Sequence, residues 1–227
     1  MNTIKVVRQL MEWNEDCSND VKALLREKNV LAVNIMAAPG AGKTSLILRL
    51  IEKLQPQYRS AVIEGDIAGQ IDAEKLDALG IPVVQLNTNG ACHIEAMAMK
   101  KMLGYFNLDD IDVLFIENVG NLVCPAEFEV GEDVKVGIVS IPEGDDKLVK
   151  YPLLFSKADW VIFNKVDMGR FFDFDLEQAE QDALQLNAKA AVFRTSCESG
   201  EGINQLYECV VARIRQKQLS GDKIAEQ

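Results

Sequence analysis

The chain of 227 residues lacks any long hydrophobic run, although 48% of its residues are hydrophobic. No apolar stretch reaches the roughly 18–20 residues that a spanning helix needs, which excludes a helical integral membrane protein. A signal peptide is not expected either, because Lys5, Arg8 and Glu12 break the apolar residues of the N-terminus. The chain therefore reads as soluble and cytoplasmic. Basic residues are few: 24 Lys and Arg against 35 Asp and Glu leave a net charge of -11, with no basic cluster. Repulsion from a polyanion argues against nucleic acid and against an anionic membrane surface as partners. Internal repeats and low-complexity linkers are absent. Histidine is limited to His93. Five cysteines at irregular spacing, an odd number, argue for reduced thiols rather than a disulfide frame.

What is present is an alternation. Residues 4–28 carry a helical pattern, expected to break at the Cys-Ser-Asn-Asp turn from Cys17 and to pack on or beside the main domain. From Val30 short β-rich runs begin: Val30–Met36, Ala61–Ile63, Val83–Leu86, Val113–Ile116, Val136–Ile141, Trp160–Phe163 and Ala191–Phe193. Helical stretches follow most of them, namely Thr44–Leu54, Ile94–Leu103, Leu176–Leu186 and Ile203–Gln216. This order predicts an α/β fold of the P-loop NTPase kind, a mostly parallel sheet with helices on both faces. The expected division is a helical leader over 1–29, a nucleotide-binding domain over 30–216 and a polar, frayed tail over 217–227. In such sheets ligands sit at the carboxyl ends of the strands.

Ala37-Ala38-Pro39-Gly40-Ala41-Gly42-Lys43-Thr44 follows the first strand and opens a helix, the context that a P-loop requires. Backbone N–H groups from Gly40 through Ala41, Gly42, Lys43 and Thr44 to Ser45 can surround phosphate at the positive end of a helix. Lys43 would neutralise the β- and γ-phosphates, and the Thr44 hydroxyl would hold Mg²⁺. Ala37 stands where the pattern has glycine, a small change. Glu117 and Asp66 each end a strand and are candidates to complete the magnesium site, although strand ends are often acidic merely for solubility.

Asn164-Lys165-Val166-Asp167 follows another strand. Guanine presents N1–H and an exocyclic amine side by side, and the Asp167 carboxylate can accept from both. Adenine would leave that carboxylate unpaired, at a cost of several kcal/mol. The Lys165 stem can cover the base, and Asn164 can tie this loop to the phosphate side. Thr195-Ser196-Cys197-Glu198 matches the third base-contact segment of GTPases. There Cys197 is small enough to present its backbone N–H, and its role is packing. The nucleotide is therefore read as GTP, and the chain as a Mg²⁺-dependent GTPase.

Cys92-His93 precedes a helix, and Cys124 lies seven residues after Glu117. Thiolate and imidazole suit Ni²⁺ or Zn²⁺ and do not suit Mg²⁺. Cysteines are often simply buried, and a lone histidine is usually structural. Against that, Cys124 falls in a loop with no apolar periodicity, at the same end of the sheet as the other candidates. Adjacent residues such as Cys92 and His93 are expected to point in different directions. Three ligands also fall short of a closed tetrahedral site, whereas two chains across a two-fold axis would supply six.

From Val30 to Val211 the chain resembles the nickel-insertion GTPases of hydrogenase maturation, the HypB family. The resemblance rests on Ala-Pro-Gly-Ala-Gly-Lys-Thr (38–44), Glu-Gly-Asp (64–66), Cys-His (92–93), Glu-Asn-Val-Gly-Asn-Leu-Val-Cys-Pro (117–125), Glu-Gly-Asp-Asp-Lys (143–147) and Asn-Lys-Val-Asp (164–167). It implies a GTP-dependent homodimer holding nickel or zinc at its interface through Cys92, His93 and Cys124. It also implies delivery of nickel to a hydrogenase large-subunit precursor with a second nickel metallochaperone. The leader has no histidine-rich run and no paired cysteines, so nickel storage is not expected. A urease nickel GTPase is similar in kind but carries a Cys-Pro-His arrangement that this chain lacks. A chaperone for a cobalamin-dependent mutase would leave Cys92-His93 unexplained, and a partitioning ATPase is opposed by Asp167. A metal-buffering protein gated by nucleotide stays open.

Overall fold

A computed structural model describes residues 2–55, 57–66, 76, 79–87 and 90–225; for 2–10, 66 and 221–225 the backbone alone is described. Seven parallel strands form one sheet: β1 Leu31–Ala37, β2 Ser60–Asp66, β3 Val83–Asn87, β4 Val113–Glu117, β5 Val134–Ser140, β6 Trp160–Asn164 and β7 Ala191–Thr195. Their spatial order is β3-β2-β4-β1-β5-β6-β7, every pairing parallel. All seven expected strands are present, most of them reaching a residue or more further toward their carboxyl ends.

Strand β1 sits at the centre and is buried along its whole length, as a strand covered on both faces must be. One face carries α2 (Lys43–Leu54) and the long C-terminal helix, with Leu46, Leu50, Val210 and Ile214 packed over Val33 and Ile35. The other face carries the leader helix α1 (Asn2–Glu27) and α3 (Ala96–Leu103), through Val21, Leu25, Met99 and Met102. Four further helices follow in the chain: α4 (Cys124–Glu127), α5 (Lys147–Lys150), α6 (Pro152–Lys157) and α7 (Leu176–Leu186). The C-terminal helix, α8, spans Ile203–Ala225. Among the described residues no helix is long and apolar enough to cross a membrane.

Two local expectations give way. The leader does not break at Cys17, because Ser18 is buried and Val21 and Leu25 are fully covered. Packing of an apolar stripe outweighs the turn preference of a short polar run. The described part of the polar segment after Gln216 is helical, since α8 continues to Ala225 and Lys217 pairs with Asp133 at 2.6 Å.

Candidate functional site

The turn between β1 and α2 holds Gly40 and Gly42 at φ of 78° and 97°, left-handed values that glycine adopts without strain. Gly42 has a second reason to be glycine. A Cβ there would lie 2.6 Å from Asn164 Nδ2. Asn164, buried at the end of β6, donates from Nδ2 to the Ala41 carbonyl at 2.9 Å and accepts from Thr195 Oγ1 at 3.0 Å. Lys165 takes φ of 61° and donates from Nζ to the Gly40 carbonyl at 2.6 Å. Two loops more than a hundred residues apart in sequence are thus one assembly.

A cavity of about 460 Å³ opens above this turn. Gly40, Gly42, Lys43, Thr44, Ser45 and Lys165 contribute to its wall, as do Glu64 and Glu117 from the strand ends. Thr44 Oγ1 donates to Glu117 Oε1 at 2.9 Å. Glu64 of β2 stands in register with Glu117 of β4, and both are buried. Sequence pattern alone points to Asp66 as the strand-end acid and gives no signal for Glu64. The Asp66 side chain lies outside the described residues. Two carboxylates and a hydroxyl at one place form an all-oxygen donor set of the type that hard cations take.

Of the base-contact candidates, only Lys165 lines the cavity. Asp167 is exposed on the turn Val166–Phe171 beside it. Ser196 is buried, its Oγ accepting from Ser199 N at 3.1 Å. Cys197 is half-buried, and its carbonyl accepts from Arg49 Nε at 2.9 Å. Burial pushes the Cys197 thiol above its ordinary range, with the Asp167 charge adding to the rise. A thiol held protonated is inert, as a packing role requires.

Cys92, His93 and Cys124 come together, each offering one ligand atom within 4.8 Å of the others. The backbone bends at Cys92 and His93, so these neighbours converge rather than diverge: Cys92 Sγ lies 3.5 Å from His93 Nδ1. The His93 ring stacks on Phe128 with centroids 4.3 Å apart. His93 Nε2 is buried with no hydrogen-bond partner among the described residues. Hydrogen bonding with the Cys124 thiol, then burial, raises the Cys92 thiol above its ordinary range. Burial lowers the His93 imidazole despite the opposing carboxylates of Glu95 and Glu127. A neutral imidazole beside two thiols, with an orphaned ring nitrogen, is a donor set for a borderline-soft divalent metal.

The cavity and the cluster share residues 117–124. Asn118 is fully buried just past Glu117. Its Oδ1 accepts from Ile94 N at 3.2 Å and Val119 N at 3.0 Å, and its Nδ2 donates to Asn34 Oδ1 at 3.1 Å. Asn34 donates in turn to the buried Glu132 at 3.3 Å. Asn121 Nδ2 donates to the Cys92 carbonyl at 3.1 Å. Gly120 lies against the phosphate turn, where an added Cβ would meet Pro39 Cγ at 2.8 Å.

Comparison with known proteins adds three findings. The CobW/HypB/UreG nucleotide-binding domain model matches residues 31–194. A probable hydrogenase maturation factor HypB of Methanocaldococcus jannaschii is 35% identical over 216 residues, 95% of this chain and 98% of that protein. Two crystal structures superpose with a TM-score of 0.85. One is HypB of Archaeoglobus fulgidus, at 34% identity over 90% of this chain and 100% of that one. The other is HypB of Helicobacter pylori in complex with nickel, at 32% identity over 89% and 95%.

Proposed function

The chain belongs to the HypB family of hydrogenase maturation factors, and from that premise we propose that it is a GTP-hydrolysing nickel metallochaperone. Nickel is its cargo, with zinc the competing ion, and Cys92, His93 and Cys124 are the carriers. The recipient is a hydrogenase large-subunit precursor, reached with a second nickel metallochaperone. The observation that carries this reading is the shared loop 117–124. At one end Glu117 is bonded to Thr44 in the phosphate cavity, and at the other Cys124 meets Cys92 and His93.

In this reading the backbone from Gly40 to Ser45 cradles the phosphates and Lys43 neutralises their charge. Thr44, Glu117 and Asp66 would hold Mg²⁺, which when bound offsets the charge developing on the phosphates. Asn164 keeps base loop and phosphate loop in one geometry. Lys165 covers the guanine, Asp167 accepts from its N1–H and amine, and the Ser196–Cys197 backbone meets its oxygen. Three ligands per chain leave a coordination position open, which suits an ion that must be handed on. A second chain across a two-fold axis would close the site, so GTP-dependent homodimerisation would set when the ion is held.

Calorimetry with GTP, ATP and xanthosine triphosphate tests the base assignment. The unmodified chain should prefer GTP over ATP by several kcal/mol. Asp167→Asn should weaken GTP and favour the xanthine nucleotide, whose 2-oxo group needs a donor. Equal affinity of the unmodified chain for ATP and GTP would remove guanine recognition.

A further inference from the structure

The His93 and Cys124 segments are distant in sequence, and the helices that they open carry no side-chain caps of their own. His93 sits just ahead of α3, whose cap residue Glu95 makes no side-chain bond to the helix. Cys124 opens α4, whose cap residue Val123 makes none either. Besides Asn118 and Asn121, which reach Ile94 N and the Cys92 carbonyl from the thiol side, a side chain of the leader joins the two. Asn14 of α1 accepts at Oδ1 from Ala96 N at 3.1 Å, capping α3 from another helix. Its Nδ2 donates to the Glu129 carbonyl at 3.0 Å, just past α4. One amide thereby uses its acceptor on the imidazole segment and its donor on the thiol segment.

Between the two fastened points lies the Phe128–His93 stack, at an interplanar angle of 17°. Flat stacking sets the plane of the ring, and within that plane Nδ1 faces Cys92 Sγ at 3.5 Å. The helix that carries Asn14 is firmly seated: Val21 and Leu25 are fully buried. Gly131, at φ of 92°, also lies so close to α1 that an added Cβ would meet Val21 Cγ1 at 2.4 Å.

We propose that the leader helix is a clamp on the thiol–imidazole site, with Asn14 its positioning residue; this rests on Cys92, His93 and Cys124 being the metal ligands. Both hydrogen bonds of the Asn14 side chain go to backbone groups, those of Ala96 and Glu129, and neither goes to a ligand residue. It holds the segment carrying Phe128 against the start of α3, and the stack then presents His93 to the two thiols. Residues that orient ligands from behind commonly carry about 10–100-fold in metal affinity.

The test titrates Ni²⁺ alone into the purified full-length chain against a chromophoric chelator, recording also the thiolate-to-nickel absorption band. Asn14→Leu should weaken nickel by about 10-fold or more and lower the band per bound ion. GTP affinity should stay unchanged, a readout that general unfolding would move. Asn14→Asp keeps the acceptor for Ala96 N and loses the donor to the Glu129 carbonyl. Its added negative charge would by itself tighten a cation site, so weaker nickel binding in this variant reports the lost donation. Unchanged binding in Asn14→Leu, which removes both bonds and adds no charge, overturns the clamp. Phe128→Leu should lower the band in the same way, and an unaltered band would count against the stack. Cys124→Ala separates the two levels. If it binds nickel like the unmodified chain, the ligand assignment fails and the clamp with it. If it loses nickel while Asn14→Leu does not, only the clamp fails.

Discussion

In the phosphate cavity, Lys43, Glu64 and Glu117, with Asn164 behind the turn, are at most 8% exposed, and strand ends or the first turn of α2 fix them. In the thiol–imidazole cluster Cys92 is exposed, Cys124 and His93 are half-buried, and bends and a four-residue helix carry them. The sheet dictates the first region. The second hangs from it by side-chain amides, those of Asn118, Asn121 and Asn14. Rigid burial suits a nucleotide that must be read accurately, whereas partial exposure suits an ion that enters and leaves.

Substitutions can break this comparison. Lys43→Ala should cut GTP hydrolysis by about 100-fold or more, since the electrostatic donor to the phosphates is gone. Circular dichroism should still report the fold, and normal turnover in this variant would refute the phosphate assignment. Cys124→Ala should lower nickel affinity by about 100-fold while GTP binding stays near normal. Cys209→Ala, measured alongside, should leave both intact; loss of nickel there would show that the wrong thiol was assigned.

The shared loop should couple the regions more modestly. Nickel affinity measured with a non-hydrolysable GTP analogue and with GDP should differ by about 5–150-fold, the usual range of such coupling. Linkage then requires nickel to shift the relative affinity for the two nucleotides by the same factor. Identical affinities and identical molecular mass in both states would separate the sites altogether. The smallest effect is expected from Gly120→Ala. The new methyl group, 2.8 Å from Pro39 Cγ, forces loop and phosphate turn apart. The predicted outcome is a few-fold rise in KM for GTP and a weaker nucleotide effect on nickel; unaltered coupling would place the link elsewhere, in Asn118.

Legibility in the sequence follows the same division. The strands were readable because parallel strands covered on both faces are continuous apolar runs, and the phosphate turn because its glycines answer to local backbone geometry. Glu64 was hidden in Val-Ile-Glu-Gly-Asp. Only the register of β2 against β4 places it beside Glu117. The convergence of Cys92 and His93 could not be read, because it depends on a backbone bend that neither residue type demands. Asn14 and Phe128 gave no signal either. An asparagine on a helix and an aromatic near a short helix are ordinary residues until tertiary packing aims them.

Asn164 has a consequence for how the chain matures. Its amide is satisfied by Ala41, from the first strand–helix turn, and by Thr195, at the end of the last strand. Pairings this distant in sequence form late, after the intervening strands have docked. A nascent chain on the ribosome thus has its phosphate turn early but no finished socket until β7 has emerged. A chain cut short before β7 should therefore bind nucleotide more weakly than the whole chain, whatever the state of its first strand–helix turn.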